Sequence, residues 1–296
     1  MAGHTPQISF DAIGTRWEIE ITEPVSEKQL STVKESILER TEKYDKTYSR
    51  FRDDSLVTRI AEAAGTYTFP ADADRLFELY RQLYDATDGV VTPLIGNLIS
   101  AAGYDAQYSL RPASHLSSPM PWDDVMAYEH PRLITRAPVL LDFGAAGKGY
   151  LVDIIGELLR GHGISSYLID AGGDMLHSGS QPIRIGFENP NDPTEVLGVA
   201  NVQNQSICGS AGNRRSWAGI HHIMNPLTTE PVRDVLAAWA VAPTALVADG
   251  IATALFFTPA AKLKALFDFE YLLVRSDMSC EYSPGLQAEI FWESPA

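Results

Sequence analysis

The chain is short of basic residues, of cysteine and of long apolar runs, and each shortage closes off a class of function. Lys and Arg number 23 against 38 Asp and Glu, a formal net charge of −15 at pH 7 over 296 residues. An extended nucleic-acid surface needs clustered Lys and Arg, and no such cluster occurs. Cys208 and Cys280 are the only cysteines, too few and too far apart for a zinc site, and sequence alone does not decide whether they pair. No segment approaches the roughly 18 apolar residues of a membrane span. The opening Met1-Ala2-Gly3-His4-Thr5-Pro6 has neither a basic start nor an apolar stretch. A soluble, cytoplasmic protein is expected, although a chain that had lost a leader would read alike.

What is present is ordinary for a globular protein: 45% hydrophobic and 21% charged residues, with no internal repeat. One unit over 1–296 is expected, helix-rich over about 22–105 and mixed over about 132–296. Ile8 to Ile21 reads as two strands about Gly14-Thr15, with Trp17, Ile19 and Ile21 alternating against Arg16, Glu18 and Glu20. Ser26-Glu27-Lys28-Gln29 has the form of a capping box, opening a helix with Leu30, Val33, Ile37, Leu38, Thr41 and Tyr44 on its apolar face. Thr47 to Ser55 is a polar loop, as readily solvated as ligand-binding. A second helix begins at Asp72, and Gln107 to Pro121 is an exposed excursion. Strands are expected at Ile183–Phe187, Gly198–Gln203, Tyr271–Val274 and Glu289–Trp292, with helices after Thr244 and over Ala260–Phe267.

The richest stretch runs from Pro138 to Asp174. It reads as strand (Val139-Leu140-Leu141), glycine-rich turn (Asp142-Phe143-Gly144-Ala145-Ala146-Gly147-Lys148-Gly149-Tyr150), helix, strand (Tyr167-Leu168-Ile169) and a second turn, Asp170-Ala171-Gly172-Gly173-Asp174. A Walker loop is excluded, because two residues separate Gly144 from Gly147 and Gly149 follows the lysine, and G-x-G-x-x-G fails as well. What remains is a lysine at a helix N-terminus, where exposed N–H groups and the helix dipole favour an anion such as a phosphate-bearing ligand.

Asp249 and Thr253 lie four apart on the late helix, so a carboxylate and a hydroxyl share one face among Ala248, Ile251, Ala252 and Leu255. A buried carboxylate needs a partner: a lysine, a backbone N–H or a metal. Hard oxygen ligands suit magnesium, while the pair by itself reads as a structural hydrogen bond. The pair His221-His222 stands beside Ile223-Met224, where a histidine reads first as a packed residue.

Taken together, these stretches resemble the FAD:protein FMN transferases, the ApbE family, from about Gly14 to Phe257. The glycine turn is similar to the family's D-L-G-G-I-A-K-G-Y. His222-Ile223-Met224-Asn225-Pro226-Leu227-Thr228-Thr229-Glu230-Pro231 is similar to H-I-I-D-P-R-T-G-x-P, and Ala248-Asp249-Gly250-Ile251-Ala252-Thr253-Ala254-Leu255 to A-D-A-L-S-T-A-L. Ser49-Arg50-Phe51 with Asp54-Ser55, and Thr87-Asp88-Gly89, are weaker echoes. The resemblance implies an α+β fold of mixed or antiparallel sheets packed with helices. It implies FAD as donor and Mg²⁺-dependent transfer of FMN to a Thr or Ser hydroxyl of a partner flavoprotein, with release of AMP.

It also implies the site. Asp249, Thr253 and the Gly147 carbonyl would hold the metal, with His222, Lys148 and Asp249 catalytic and His222 the base for the incoming hydroxyl. Phe51, Gly144, Lys148, Gly172, Gly173, Asp174, Ser210 and His222 would meet FAD, the Phe51 ring against the flavin. The chain departs from the family pattern at Thr92 and Asn225, where Asp is usual, at Ser210-Ala211-Gly212-Asn213 in place of S-G-D-Y, and at Asp170 in place of Asn. Asn225 would thereby remove a carboxylate able to orient His222. An FAD pyrophosphatase and a non-catalytic FAD-binding protein are the alternative readings.

Overall fold

The computed structural model describes residues 6–291. Eight strands form the main sheet: Gln7–Ala12, Thr15–Ile21, Tyr167–Asp170, Met175–Ser178, Ser206–Ala211, Val235–Ala242, Glu270–Arg275 and Cys280–Tyr282. They lie side by side in chain order, and every pairing is antiparallel. On Thr15–Ile21 the expected alternation holds, with Trp17, Ile19 and Ile21 buried and Arg16, Glu18 and Glu20 exposed. Two central strands are not expected from sequence. Ser206–Ala211 is small and polar, and Val235–Ala242 is apolar on both faces, as a strand covered on both sides must be. Its alternate residues Ala238, Ala240 and Ala242 join the helical core, whereas Val241 packs with Phe187, Ala200, Val202, Ile207 and Leu272. That second core binds a three-stranded antiparallel sheet, Ile183–Asn189, Asp192–Val202 and Ala288–Ile290, to the far face of the main sheet. The last strand was expected over Glu289–Trp292; Trp292 lies outside the described residues. Another small sheet joins Gly65–Thr68, Arg132–Thr135 and Met126–Glu129.

The first helix, Glu27–Tyr48, starts where the capping residues place it, the Ser26 hydroxyl accepting the Gln29 N–H at 3.1 Å. Val33, Ile37, Thr41, Tyr44 and Tyr48 form its buried face. Leu38, expected on that face, is 40% exposed, because it lies one residue round the helix from Ile37. A short helix, Leu56–Glu62, capped by Ser55, was not expected, and the next long one is Asp74–Ala86 after a 3₁₀ turn at Ala71–Ala73. The strand expected at Val139–Leu141 does not form. The run is extended but finds no ladder partner: Val139 N–H goes to the Ile60 carbonyl and Asp142 N–H to the Pro93 carbonyl at 2.8 Å. The excursion over 107–121 has no helix or strand apart from its own turns. Among the described residues no helix is long and apolar enough to cross a membrane, and Cys208 and Cys280 are not joined to each other.

Two helices carry the site, Gly147–Gly161 and Ala245–Ala254. They touch at Gly149, where a Cβ would stand 2.1 Å from the Ala245 carbonyl oxygen, so only glycine permits the approach. Asp153 locks the same pair from one turn further on. Its carboxylate accepts the Ala245 N–H at 2.9 Å and the Leu246 N–H at 2.8 Å, completing the cap that Thr244 begins. Burial pushes the Asp153 carboxyl up to about 6 against the pull of those two N–H groups. Asp153→Ala strands both N–H groups in the interior, and the unfolding free energy from denaturant titration should fall by about 2–4 kcal/mol.

Candidate active site

Both glycine turns, the loop after the first helix and the late helix open onto one cavity of about 900 Å³, at the large end of the range for small-molecule sites. Of the residues expected from sequence, Phe51, Gly144, Gly147, Lys148, Gly172, Gly173, Ser210, His222, Asp249 and Thr253 all line it. Asp174 stands behind Lys148 with its side chain 1% exposed, and its Oδ2 is 2.9 Å from the ammonium. Gly172 and Gly173 adopt positive φ, and Asp170 fixes their turn by accepting the Gly173 N–H at 2.8 Å.

The core of the site is a cluster of buried charge. Asp249 is 4% exposed, and one of its oxygens accepts the Gly149 N–H at 2.9 Å. Burial, and then the negative charge of Asp174, pushes its carboxyl well up, while Lys148 and the Gly149 N–H pull the other way. Burial pulls the Lys148 ammonium down, but Asp174 and Asp249 outweigh it and its affinity for the proton rises. One turn along, the Thr253 hydroxyl donates to the Ala145 carbonyl at 3.3 Å and lies 3.2 Å from the Ser210 hydroxyl. The Gly147 carbonyl accepts the Tyr44 hydroxyl at 2.6 Å, so the carbonyl that Thr253 meets is Ala145's. Among the described residues no three His, Cys, Asp or Glu side chains cluster as a metal site. The oxygens gathered here are of another kind: one carboxylate with a single hydrogen-bonded oxygen, one hydroxyl and a backbone carbonyl. That donor set fits a hard cation such as Mg²⁺.

The N-terminus of the Gly147–Gly161 helix is less open than the sequence implies. Asp249 takes the Gly149 N–H, and Asp142 takes the Gly144 N–H at 2.6 Å. Asp142 is itself held by Arg50, a pairing that sequence reasoning missed although Arg50 lies in the Ser49-Arg50-Phe51 stretch. The buried guanidinium donates through Nε to Asp142 and through Nη1 to the Tyr104 carbonyl at 2.7 Å. Burial pushes Asp142 up, and Arg50 more than compensates, leaving it below the usual carboxylate range. Phe51 lines the cavity inside an aromatic group, stacked on Tyr108 at 5.3 Å and edge-on to Tyr104.

The two histidines separate in role. His221 is built into the fold, its Nε2 2.6 Å from the Val232 carbonyl and its Nδ1 accepting the Ile223 N–H. His222 faces the cavity, and among the described residues its buried Nδ1 has no hydrogen-bond partner, while the ring also bonds to the backbone of Arg215. Asn225 neither orients nor tunes it. Its Oδ1 accepts the Leu227 N–H at 2.9 Å and the Thr228 N–H at 3.3 Å, closing its own turn.

Burial, followed by the charge of Arg215, lowers His222 from its ordinary 6.5 to about 4, so the ring is neutral at pH 7. In the unfolded chain the histidine regains its ordinary value and binds a proton first as the pH drops. The stability tied to His222 is therefore present above about pH 6.5 and lost as the pH falls toward 4. Denaturant titrations across that window should show a smaller loss in His222→Gln than in wild type.

A profile of the ApbE family matches residues 13–273. The FAD:protein FMN transferase of Salmonella typhimurium is 24% identical over 288 residues, covering 88% of this chain and 81% of that protein. The enzyme of the same name from Escherichia coli is 24% identical over 292 residues, with 88% and 81% covered. Among solved structures, the flavin transferase ApbE from Vibrio cholerae superposes with a TM-score of 0.80 at 21% identity, over 95% of this chain and 96% of that one. The ApbE protein of Thermotoga maritima gives 0.80 at 20% identity, over 95% and 97%. With most of its length inside the family profile and its fold shared with these structures, the chain belongs to the ApbE family.

Proposed function

We propose that this protein is an FAD:protein FMN transferase, moving FMN from FAD to a Thr or Ser hydroxyl of a partner flavoprotein and releasing AMP. The observation that carries the reading is the meeting of Lys148, His222, Asp249 and Thr253 with both glycine turns around one cavity. The shared name of the curated relatives supports it. Asp249, Thr253 and the carbonyls of Ala145 and Gly147 would hold Mg²⁺. When bound, Mg²⁺ supplies neutralisation of the pyrophosphate and polarisation of the phosphorus under attack.

The remaining chemistry belongs to the chain's own residues. The acceptor hydroxyl oxygen forms a bond to the FMN phosphorus, the bond from that phosphorus to the bridging oxygen breaks, and AMP departs with the electron pair. The hydroxyl proton goes to a ring nitrogen of His222, whose ring is neutral at pH 7 and whose Nδ1 has no hydrogen-bond partner among the described residues. Lys148, kept protonated by Asp174 and Asp249, presents a fixed positive charge beside the glycine turn. Phe51 and its aromatic neighbours offer the flavin an apolar, stacking wall.

The test incubates the protein with FAD, Mg²⁺ and an acceptor domain carrying a candidate target threonine, and reads intact acceptor mass. A gain equal to an FMN phosphodiester is expected in wild type, lowered about 10²–10⁴-fold in rate by His222→Ala. Asp249→Ala should abolish the Mg²⁺-stimulated rate. Free FMN and AMP beside an unmodified acceptor, found again with several acceptors, would make the protein a pyrophosphatase; intact bound FAD after long incubation would make it a binding protein.

A further inference from the structure

Five cationic side chains line the cavity: Arg50, Arg52, Lys148, Arg214 and Arg215. Four are committed to carboxylates of the chain. Arg50 holds Asp142, and Arg52 sits 2.7 Å from Asp54 and 3.1 Å from Asp45. Lys148 sits 2.9 Å from Asp174, and Arg214 3.1 Å from Glu188. Among the described residues, Arg215 has no ion pair and no side-chain hydrogen bond. It is exposed, and its guanidinium lies 5.6 Å from the centre of the Tyr104 ring. The same guanidinium lies beside the turn of the first hairpin, where a Cβ added to Gly14 would be 4.0 Å from its Nη2. Arg215 thus spans the cavity between the loop that carries His222 and the turn beside the first two strands.

In a protein of net charge −15, Arg215 is, among the described residues, the one cation of this lining that no carboxylate of the chain holds, which leaves its guanidinium available to an anionic ligand. We propose that Arg215 is the residue that recognises the phosphates of the substrate, closing on a dinucleotide pyrophosphate within the cavity that Lys148 also lines. This rests on the transferase reading given above and names a residue that the sequence does not single out. A guanidinium suits the task because it donates two parallel N–H bonds to a phosphate and stays charged at any working pH. The Tyr104 face positions the group before the ligand arrives, and it costs little when the guanidinium turns to the phosphate. Lys148, fixed to Asp174, cannot play that part without giving up its buried partner.

The test separates phosphate recognition from ring recognition by using three ligands in the presence of Mg²⁺: FAD, ADP, which has the two phosphates without a flavin, and riboflavin, which has the flavin without a phosphate. Binding is followed by calorimetry for wild type, Arg215→Ala and Arg215→Lys, with thermal unfolding as a check on folding. Arg215→Ala should weaken FAD and ADP about tenfold to a hundredfold, with riboflavin unchanged and Arg215→Lys in between. Equal weakening of riboflavin would mean a disturbed pocket wall and would overturn the proposal. So would a variant that binds FAD and ADP as wild type does, which leaves the transferase reading intact. A wild type that binds neither FAD nor ADP would overturn both.

Discussion

Two carboxylates, Asp174 and Asp249, are buried within reach of one ammonium, Lys148, and the arrangement of the site follows from that imbalance. A single buried cation cannot satisfy two buried anions, so Asp174 takes the direct pairing and Asp249 is left with one backbone N–H. The cost appears as the strong upward pull on Asp249. Charge of this kind persists in a core only where something else is meant to meet it or where packing holds it in place. Here the packing is plain: Gly149 brings the backbone of one helix against the other, and its N–H is what anchors the carboxylate.

The sheet supplies the platform for that meeting. Because its strands run side by side in chain order, the turn after Tyr167–Asp170 and the strand Ser206–Ala211 come to lie near each other, carrying Gly172, Gly173 and Ser210 to one rim with Asp174 buried behind it. The two helices cross the same face, and Asp153 joins them a turn beyond Gly149. The first helix adds Tyr44 to the Gly147 carbonyl, and the loop at its end adds Arg50 to Asp142. The Asp142 carboxylate and the Gly147 carbonyl of the first glycine turn are therefore each fixed by a residue far away in the chain.

Much of this was legible in the sequence, for physical reasons that differ by element. The first hairpin shows its alternation because one face is buried and the other wet, and the first helix shows its cap because Ser26 sits outside a run of helical spacing. Val235–Ala242 hides because both its faces are covered, and Val139–Leu141 misleads because an apolar run needs a partner strand that the fold does not supply. At the site, Lys148, Asp249, Thr253 and the glycine turns carry motif spacing and are found. Arg50 and Tyr44 act through contacts 92 and 103 residues distant, Arg215 lies over the ring of the distant Tyr104, and no local pattern reports that. His222 is told from His221 only by which ring the Val232 carbonyl captures.

The departures from the family's pattern fall largely on turn-makers, and of them Asp170 alone adds a charge that Asp174 and Lys148 feel. Thr92 caps a 3₁₀ turn by accepting the Leu94 N–H at 3.2 Å, and Asn225 closes its own turn on Leu227 and Thr228. Asp170 holds the Gly173 N–H, and Asn213 reaches away from the cavity to the Pro190 carbonyl at 2.7 Å. A neutral oxygen serves a backbone N–H as adequately as a charged one when the turn is its only task. Thr92, Asn225 and Asn213 make no hydrogen bond or ion pair to Lys148, Asp174, Asp249 or Thr253, so changes at them alter the walls of the cavity, whereas the Asp170 carboxylate adds negative charge beside Asp174 and Lys148.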